Sequence, residues 1–301
     1  MQIGMIGLGK MGNFMAQRLM KAGHDVIGFD PNAKARKALI DAGGKAVDSL
    51  DKLVKSLKPQ RAVWVMVPCG KPTDDTIKAL AGKLSKGDVV IDGGNSNYRD
   101  DQQHARELSD KGIDFVDCGT SGGVWGLKEG YSMMVGGDKK VVKYLKPIFE
   151  ALAPGKEKGW GHVGPAGSGH FVKMVHNGIE YGMMQAYAEG FSIMKHKQEF
   201  KLDMEQIAEI WRHGSVVRSW LLDLTADALK RDPEMKDIEP YVVDSGEGRW
   251  TVAEAIDLDV PAPIITASLI ERLRSRDSDS YSDKLLSAMR NEFGGHAMKK
   301  A

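Results

Sequence analysis

MQIGMIGLGKMGNFMAQRLMK, residues Met1 to Lys21, is the stretch that decides the fold. An apolar run of strand length, Ile3 to Ile6, leads into Gly7-Leu8-Gly9-Lys10-Met11-Gly12, and a helix-like segment follows from Met11 to Lys21. A glycine turn with no ligand is the plain alternative, but strand, turn and helix in this order set backbone N–H groups and the positive helix end against a pyrophosphate. Asp30, 18 residues beyond Gly12, ends the next strand-like run. A carboxylate there accepts hydrogen bonds from ribose hydroxyls and repels a 2′-phosphate, which favours NAD over NADP, with Lys34 and Arg36 near enough to leave NADP open. The cofactor-binding set is therefore Gly7, Leu8, Gly9, Lys10, Met11, Gly12 and Asp30, joined by Val67 at the end of the run Ala62 to Val67 and by Asn95.

Working outward, apolar runs at Val26 to Phe29, Ala62 to Val67, Val89 to Ile91 and Phe115 to Val116 alternate with helix-like stretches at Thr73 to Leu84 and Asp100 to Lys111. That alternation predicts a parallel sheet wound with helices, a doubly wound α/β domain. The composition then changes: 25 of the 35 glycines and seven of the 11 prolines lie at or before Pro165, and no proline occurs between Pro165 and Pro233. Residues 1–165 are expected to form the dinucleotide-binding domain and residues 166–301 an all-helical one for substrate and oligomerisation. The helical segments are Ala166 to His196, Met204 to His213 and Ser219 to Arg231, and the end, at Lys299 and Lys300, should fray. The 301 residues, 42% apolar and 28% charged with a formal charge of +1, are those of a globular protein. They argue against a broad nucleic-acid footprint. Cys69 and Cys118 lack metal-ligand or disulfide spacing and read as free buried thiols. No apolar run of 18 residues occurs and the start is too glycine-rich for a signal peptide, so a cytoplasmic protein without membrane partners is expected.

The chemistry lies in a second stretch. Lys173, His176, Asn177, Glu180 and Tyr181 fall at i, i+3, i+4, i+7 and i+8 among Phe171, Val172, Met174, Val175, Ile179, Met183 and Met184. On a helix they form one polar stripe in an apolar surround, which predicts a buried helix whose stripe lines a ligand. An internal Lys–Glu pair without chemistry is the alternative. Two loops can join it: GGNSNYRD, Gly93 to Asp100, after the strand Val89 to Asp92, and Ser121-Gly122-Gly123 after the strand ending near Asp117. Both lie beyond carboxyl ends of strands, where doubly wound sheets bind ligands. Asn, Ser and Gly also suit ordinary turns. GPAGSGH, Gly164 to His170, leads into the stripe with small residues that allow close backbone approach.

The glycine loop, GGNSNYRD, SGG, KMVHNGIEYG (Lys173 to Gly182), GRWT (Gly248 to Thr251) and RNEFGGH (Arg290 to His296) come in this order along nearly the whole chain. In that order the sequence resembles the decarboxylating 6-phosphogluconate dehydrogenases, in their short form. The wider β-hydroxyacid dehydrogenases share the glycine loop, SGG and the lysine. His176-Asn177 with Glu180-Tyr181, and Asn95 in its GGNSN setting, make the resemblance specific. It implies oxidative decarboxylation of 6-phosphogluconate to ribulose 5-phosphate and carbon dioxide with reduction of NAD, as in the pentose phosphate pathway and gluconate use, without a metal. Lys173 would be the base and then the acid that polarises the 3-keto group, and Glu180 the acid that protonates the enediol. Asn95, Ser121, Gly122, Gly123, His176 and Asn177 would hold carboxylate and hydroxyls.

Tyr181, Arg272, Arg290 and His296 would hold the phosphate, the last two contributed by a neighbouring subunit, so a dimer or tetramer is implied. The long forms carry a second helical segment for which this chain is too short, and their KGTGKW reads SGEGRW here, Ser245 to Trp250. Ser245 thus stands where a phosphate-binding lysine is found, and Glu247 would repel the phosphate if it pointed inward. Lys10 and Trp125 are variations without a functional account. A β-hydroxyacid dehydrogenase acting on an unphosphorylated acid, or a non-catalytic NAD-binding sensor, is the alternative reading.

Overall fold

The computed structural model describes residues 1–299, so Lys300 of the expected frayed end lies outside the described residues, while Lys299 has no regular structure. The chain forms two compact units, Met1–Asn177 and the remainder from Gly178. In order, the first carries β1 (Gln2–Ile6), α1 (Lys10–Lys21), β2 (Asp25–Phe29), α2 (Ala33–Asp41), β3 (Lys45–Val47), α3 (Leu50–Ser56), β4 (Ala62–Val65) and α4 (Lys71–Ala81). It continues with β5 (Val89–Asp92), α5 (Tyr98–Ser109), β6 (Asp114–Ser121), α6 (Gly126–Glu129), β7 (Ser132–Gly137), α7 (Lys139–Leu152) and β8 (Trp160–Gly164). Helix α8 (Ser168–His196) runs through the division between the units.

The strands form one sheet in the order β3-β2-β1-β4-β5-β6-β7-β8. All neighbours are parallel except β6 and β7, which run antiparallel with Val116 opposite Gly137. The doubly wound α/β expectation holds, with two reversed strands, β7 and β8, that the alternation did not reveal. Strand order reverses between β1 and β4, so their carboxyl ends open the crevice in which such sheets bind dinucleotides. Alternation along the strands builds a core on each face. Ile3, Met5, Trp64, Val89 and Ile91 pack with Met15, Leu19, Leu145 and Phe149 of α1 and α7. Ile6, Val63, Val65 and Val90 point the other way, with Leu53, Ile77, Leu80 and Leu108 of α3, α4 and α5.

The second unit is helical, as expected: the rest of α8, then α9 (Met204–Arg212), α10 (Trp220–Arg231), α11 (Glu247–Asp257), α12 (Pro263–Arg274) and α13 (Tyr281–Gly294). Met204, Ala208, Leu222, Ala226 and Leu229 make its small core, against which Tyr187, Phe191 and Met194 of α8 pack. The remaining helices leave much apolar surface open, including Ile256, Ile264, Tyr281, Leu286 and Met289. Among the described residues no helix is long and apolar enough to cross a membrane.

Two expectations are corrected. Helix α8 is not buried all round: Lys173 and Tyr181 are 4% and 5% exposed, whereas Ile179 is 52% exposed and Val172, Met183 and Met184 are open as well. The polar stripe is the inward face. Cys118 is buried as expected, but Cys69 is exposed, because it lies in the turn between β4 and α4 rather than in a strand.

Candidate active site

The glycine turn after β1 uses its three glycines for three different ends. Gly7 has φ +87° and a Cβ there would lie 2.2 Å from the carbonyl oxygen of Met66, so the turn closes against the end of β4. Gly12 packs so tightly that a Cβ would meet the Gly7 carbonyl oxygen at 1.9 Å. Beside Gly9, by contrast, a Cβ would meet nothing within 4 Å, which leaves its backbone and the unbonded N–H groups of the first turn of α1 open to a ligand. This cradle fits a pyrophosphate. Val67 backs the turn, its Cγ1 3.1 Å from the position of a Gly7 Cβ. Lys10 is exposed and Met11 partly so, at the mouth of the turn.

Asp30 stands beyond β2 and is tied to the turn itself. Its Oδ2 accepts the Leu8 N–H at 2.8 Å and its Oδ1 the Asn32 N–H at 2.8 Å. The carboxylate is thus held at the place where a ribose would arrive. Arg36 donates from one guanidinium nitrogen to the carbonyls of Asp30 and Pro31, at 2.7 and 3.0 Å, and is anchored by the backbone.

On the other side of the first unit three segments converge. Asn95 adopts φ +54°, and its side chain bridges to β6, accepting the Thr120 N–H at 3.1 Å and donating to the Thr120 carbonyl at 3.4 Å. Its amide therefore braces the loop against β6, a refinement of the sequence reading. Ser121 is the last residue of β6 rather than a loop residue beyond it. Gly122 and Gly123 follow at φ +131° and +49°, left-handed conformations that glycine adopts without strain, and nothing would meet a Cβ at Gly123. Lys173 packs over the same strand: a Cβ on Gly119 would lie 2.4 Å from Lys173 Cβ. Asn95, Ser121 and Lys173 are thus brought together by adjoining residues of β6. The Lys173 ammonium nitrogen donates to Asn177 Oδ1, which also lies 3.0 Å from His176 Nδ1.

The second unit has a polar cluster of its own. The Tyr181 ring packs edge-on against Gly248, where a Cβ would come within 2.5 Å, and Arg272 lies over its face with Cζ 3.6 Å from the centroid. Arg272 also donates to the Val243 carbonyl at 3.0 Å. The Tyr181 hydroxyl accepts the Ser245 N–H at 2.9 Å and lies 3.1 Å from Ser245 Oγ. Glu247 is buried and accepts from Ser245 Oγ at 3.3 Å. Asp244 gathers Arg249 and Arg276, at 3.1 and 2.6 Å, and those guanidiniums hold its carboxyl well below the ordinary range. Glu180 is half-buried on α8 next to Tyr181. Arg290 and His296 are exposed, in α13 and just after the left-handed Gly295 that ends it.

Sequence reasoning missed a buried group behind this site. Asp101, Asp117 and His170 lie within 4.8 Å of one another, each fully or nearly excluded from solvent. The only signal was His170 in the quoted GPAGSGH, an ionisable residue amid small ones. Burial lifts the carboxyls of Asp101, to about 7, and of Asp117.

Residues 2–164 match the model of the NAD binding domain of 6-phosphogluconate dehydrogenase and residues 169–283 that of the 6-phosphogluconate dehydrogenase C-terminal domain. The chain is 43% identical, over all of its length and 99% of the relative's, to an NAD(+)-dependent, decarboxylating 6-phosphogluconate dehydrogenase of Haloferax volcanii. It is equally similar over its full length to a putative 6-phosphogluconate dehydrogenase, YqeC, of Bacillus subtilis. An NADP(+)-dependent, decarboxylating relative of Bacillus subtilis is 40% identical over 91% of this chain, which spans 61% of that relative's length. Among solved structures, Plasmodium falciparum 6-phosphogluconate dehydrogenase superposes with a TM-score of 0.85 at 28% identity, covering all of this chain and 66% of that one. A 3-hydroxyisobutyrate dehydrogenase of Mycobacterium tuberculosis, at TM-score 0.74 and 22% identity over 92% of this chain and 94% of that one, shares the fold.

Proposed function

The chain belongs to the 6-phosphogluconate dehydrogenase family, and from that premise we infer that it oxidises and decarboxylates 6-phosphogluconate to ribulose 5-phosphate and carbon dioxide with reduction of NAD. The observation that carries the reading is the placement of Lys173. It is a buried lysine seated on Gly119, two residues from Ser121, with its nitrogen on Asn177.

NAD, when bound along the cradle of Gly7, Gly9 and Gly12, is the hydride acceptor. Lys173 in its neutral form takes the proton of the substrate's carbon-3 hydroxyl as that carbon gives up hydride. The ammonium so formed donates to the new carbon-3 carbonyl and draws electron density from the breaking bond to carbon 1, so carbon dioxide leaves. Glu180 then delivers a proton to the former carbon 2 of the enediol. Its position two helical turns beyond Lys173 on the same face of α8 suits it to that step. Ser121, the Gly122 and Gly123 amides, Asn95, His176 and Asn177 orient carboxylate and hydroxyls. Tyr181 and Arg272 receive the phosphate.

The carboxylate of Asp30, fixed by two backbone amides, and the anchored Arg36 support NAD over NADP. The open apolar faces of α11, α12 and α13, with Arg290 and His296 exposed at the chain's end, support a dimer or tetramer in which a partner's tail completes the phosphate site. We read this reaction as a step of the pentose phosphate pathway and the cytoplasm as its setting. An absorbance assay for NADH checks the substrate and cofactor: turnover is expected with 6-phosphogluconate and NAD, reduced at least tenfold with NADP and absent with gluconate. Equal turnover of gluconate would leave only the β-hydroxyacid dehydrogenase reading.

A further inference from the structure

The three segments that converge around Lys173 in the first unit meet at a buried pair the chemistry above does not use. Asp101 stands on α5, six residues after Asn95, and its Oδ2 accepts from His170 Nδ1 at 2.7 Å with both side chains fully excluded from solvent. His170 lies three residues before Lys173, in the first turn of α8. Its backbone N–H donates to Asp117 Oδ2 at 2.8 Å, and that of Gly167 to Asp117 Oδ1 at 2.7 Å. Asp117 is on β6, four residues before Ser121. One chain of hydrogen bonds thus joins the strand that ends in Ser121, the helix that follows Asn95 and the turn that precedes Lys173.

The surroundings admit no slack. A Cβ on Gly169 would lie 2.4 Å from the Met134 carbonyl oxygen, and one on Gly136 2.3 Å from Asp117 Oδ1. Tyr98, at the start of α5, meets Phe171 edge to face at 5.3 Å. Burial alone would drive His170 neutral, but the facing carboxylates of Asp101, Asp92 and Asp117 hold it up at about 10. A buried ion pair stabilises a fold little more than apolar residues of the same shape would, so stability alone is a weak reason for it.

A metal is a poorer explanation. Asp92, Asp101 and His104 form one group of ligand atoms within 4.8 Å, and Asp101, Asp117 and His170 another. Yet both oxygens of Asp117 accept backbone N–H groups, and those of Asp92 hold the Gly94 N–H at 2.9 Å and the Ser96 hydroxyl at 2.7 Å. Within these two groups, the buried atoms without a hydrogen-bond partner are Asp101 Oδ1, His104 Nδ1 and His170 Nε2, a set that neither group unites.

We propose that the Asp101–His170 pair is a positioning device for Lys173, locking the first turn of α8 to α5 and β6 so that the base stands at a fixed depth beside Asn95 and Ser121. It rests on the reading of Lys173 as the base. Asp101→Ala should lower kcat at least thirtyfold while KM for 6-phosphogluconate and Kd for NAD stay within threefold. Asp101→Asn keeps an acceptor for the His170 ring N–H and should stay within threefold of the parent in all three. The double variant Asp101→Leu/His170→Met removes both charges together, so the fold should survive, with an unchanged melting temperature, and kcat should still fall thirtyfold. A folded Ala or Leu/Met variant with parental kcat, a loss confined to KM, or an Asn variant as slow as the Ala variant would each overturn the positioning role. Lys173→Met, measured alongside, separates the two claims: its turnover would remove the base itself, whereas an inactive Lys173→Met beside a fully active Asp101→Ala would remove only the positioning.

Discussion

At Lys173 a glycine decides what a lysine does. The side chain leaves α8 where Gly119 offers no Cβ, so the helix sits one atom layer closer to β6 than another residue at 119 would permit. The base is thereby seated against the strand that ends in Ser121, with its nitrogen on Asn177. Lys173→Met should preserve the packing and lower kcat roughly 10³-fold, with NAD binding unchanged by fluorescence titration; residual turnover above a tenth of the parent's would remove Lys173 from the role. The candidate residues could be read from the sequence because the stripe repeats at helical spacing and the loops stand at strand ends. What the sequence could not convey is partnership. Asn95 looked like a ligand amide, but its left-handed backbone turns the side chain onto Thr120, and His170 gave no sign of the carboxylate it would meet 69 residues away.

At the scale of elements, periodicity was readable wherever an element was long. The strands around the crevice and helices α1, α4, α5, α8, α9 and α10 announce themselves through apolar spacing, with ends shifting by a few residues where caps such as Asn97 and Ser219 set the true start. Strands β3, β7 and β8 escaped notice because each is short or broken by glycine, with three, six and five residues. Missing β7 hid the antiparallel pairing, since SMMVGG carries no alternation that marks direction. The expectation of a wholly buried α8 failed because an apolar residue on a helix need not face the core: Val172, Ile179, Met183 and Met184 stand open while the polar stripe turns inward. The close approach of α8 to β6 makes its own prediction. Gly119→Ala puts a methyl 2.4 Å from Lys173 Cβ and 2.7 Å from the Gly169 carbonyl oxygen. It should cost about 1–3 kcal/mol of stability by overpacking and lower kcat at least tenfold, measured by denaturant unfolding and steady-state kinetics. A variant as stable and active as the parent would mean that the helix does not rest on that glycine.

For the whole molecule, the apolar faces of α11 to α13 and the exposed Arg290 and His296 argue for a chain completed by another copy of itself. Relatives that this chain matches over 61% of their length carry further sequence, whereas the Haloferax relative is matched over 99% of its length. Co-expressing a Lys173→Met chain with an Arg290→Ala chain should therefore restore part of the activity that each homomer lacks, because one mixed site unites an intact base with an intact phosphate clamp. Verified hybrids with no recovery, or a fully active monomer, would end the shared-site proposal without touching the chemistry of α8. That chemistry is tested most directly by supplying 6-phosphogluconate labelled at carbon 1 together with NAD, and counting products. The account predicts one labelled carbon dioxide for each NADH formed, with both absent in Lys173→Met; NADH formed without labelled carbon dioxide would contradict it.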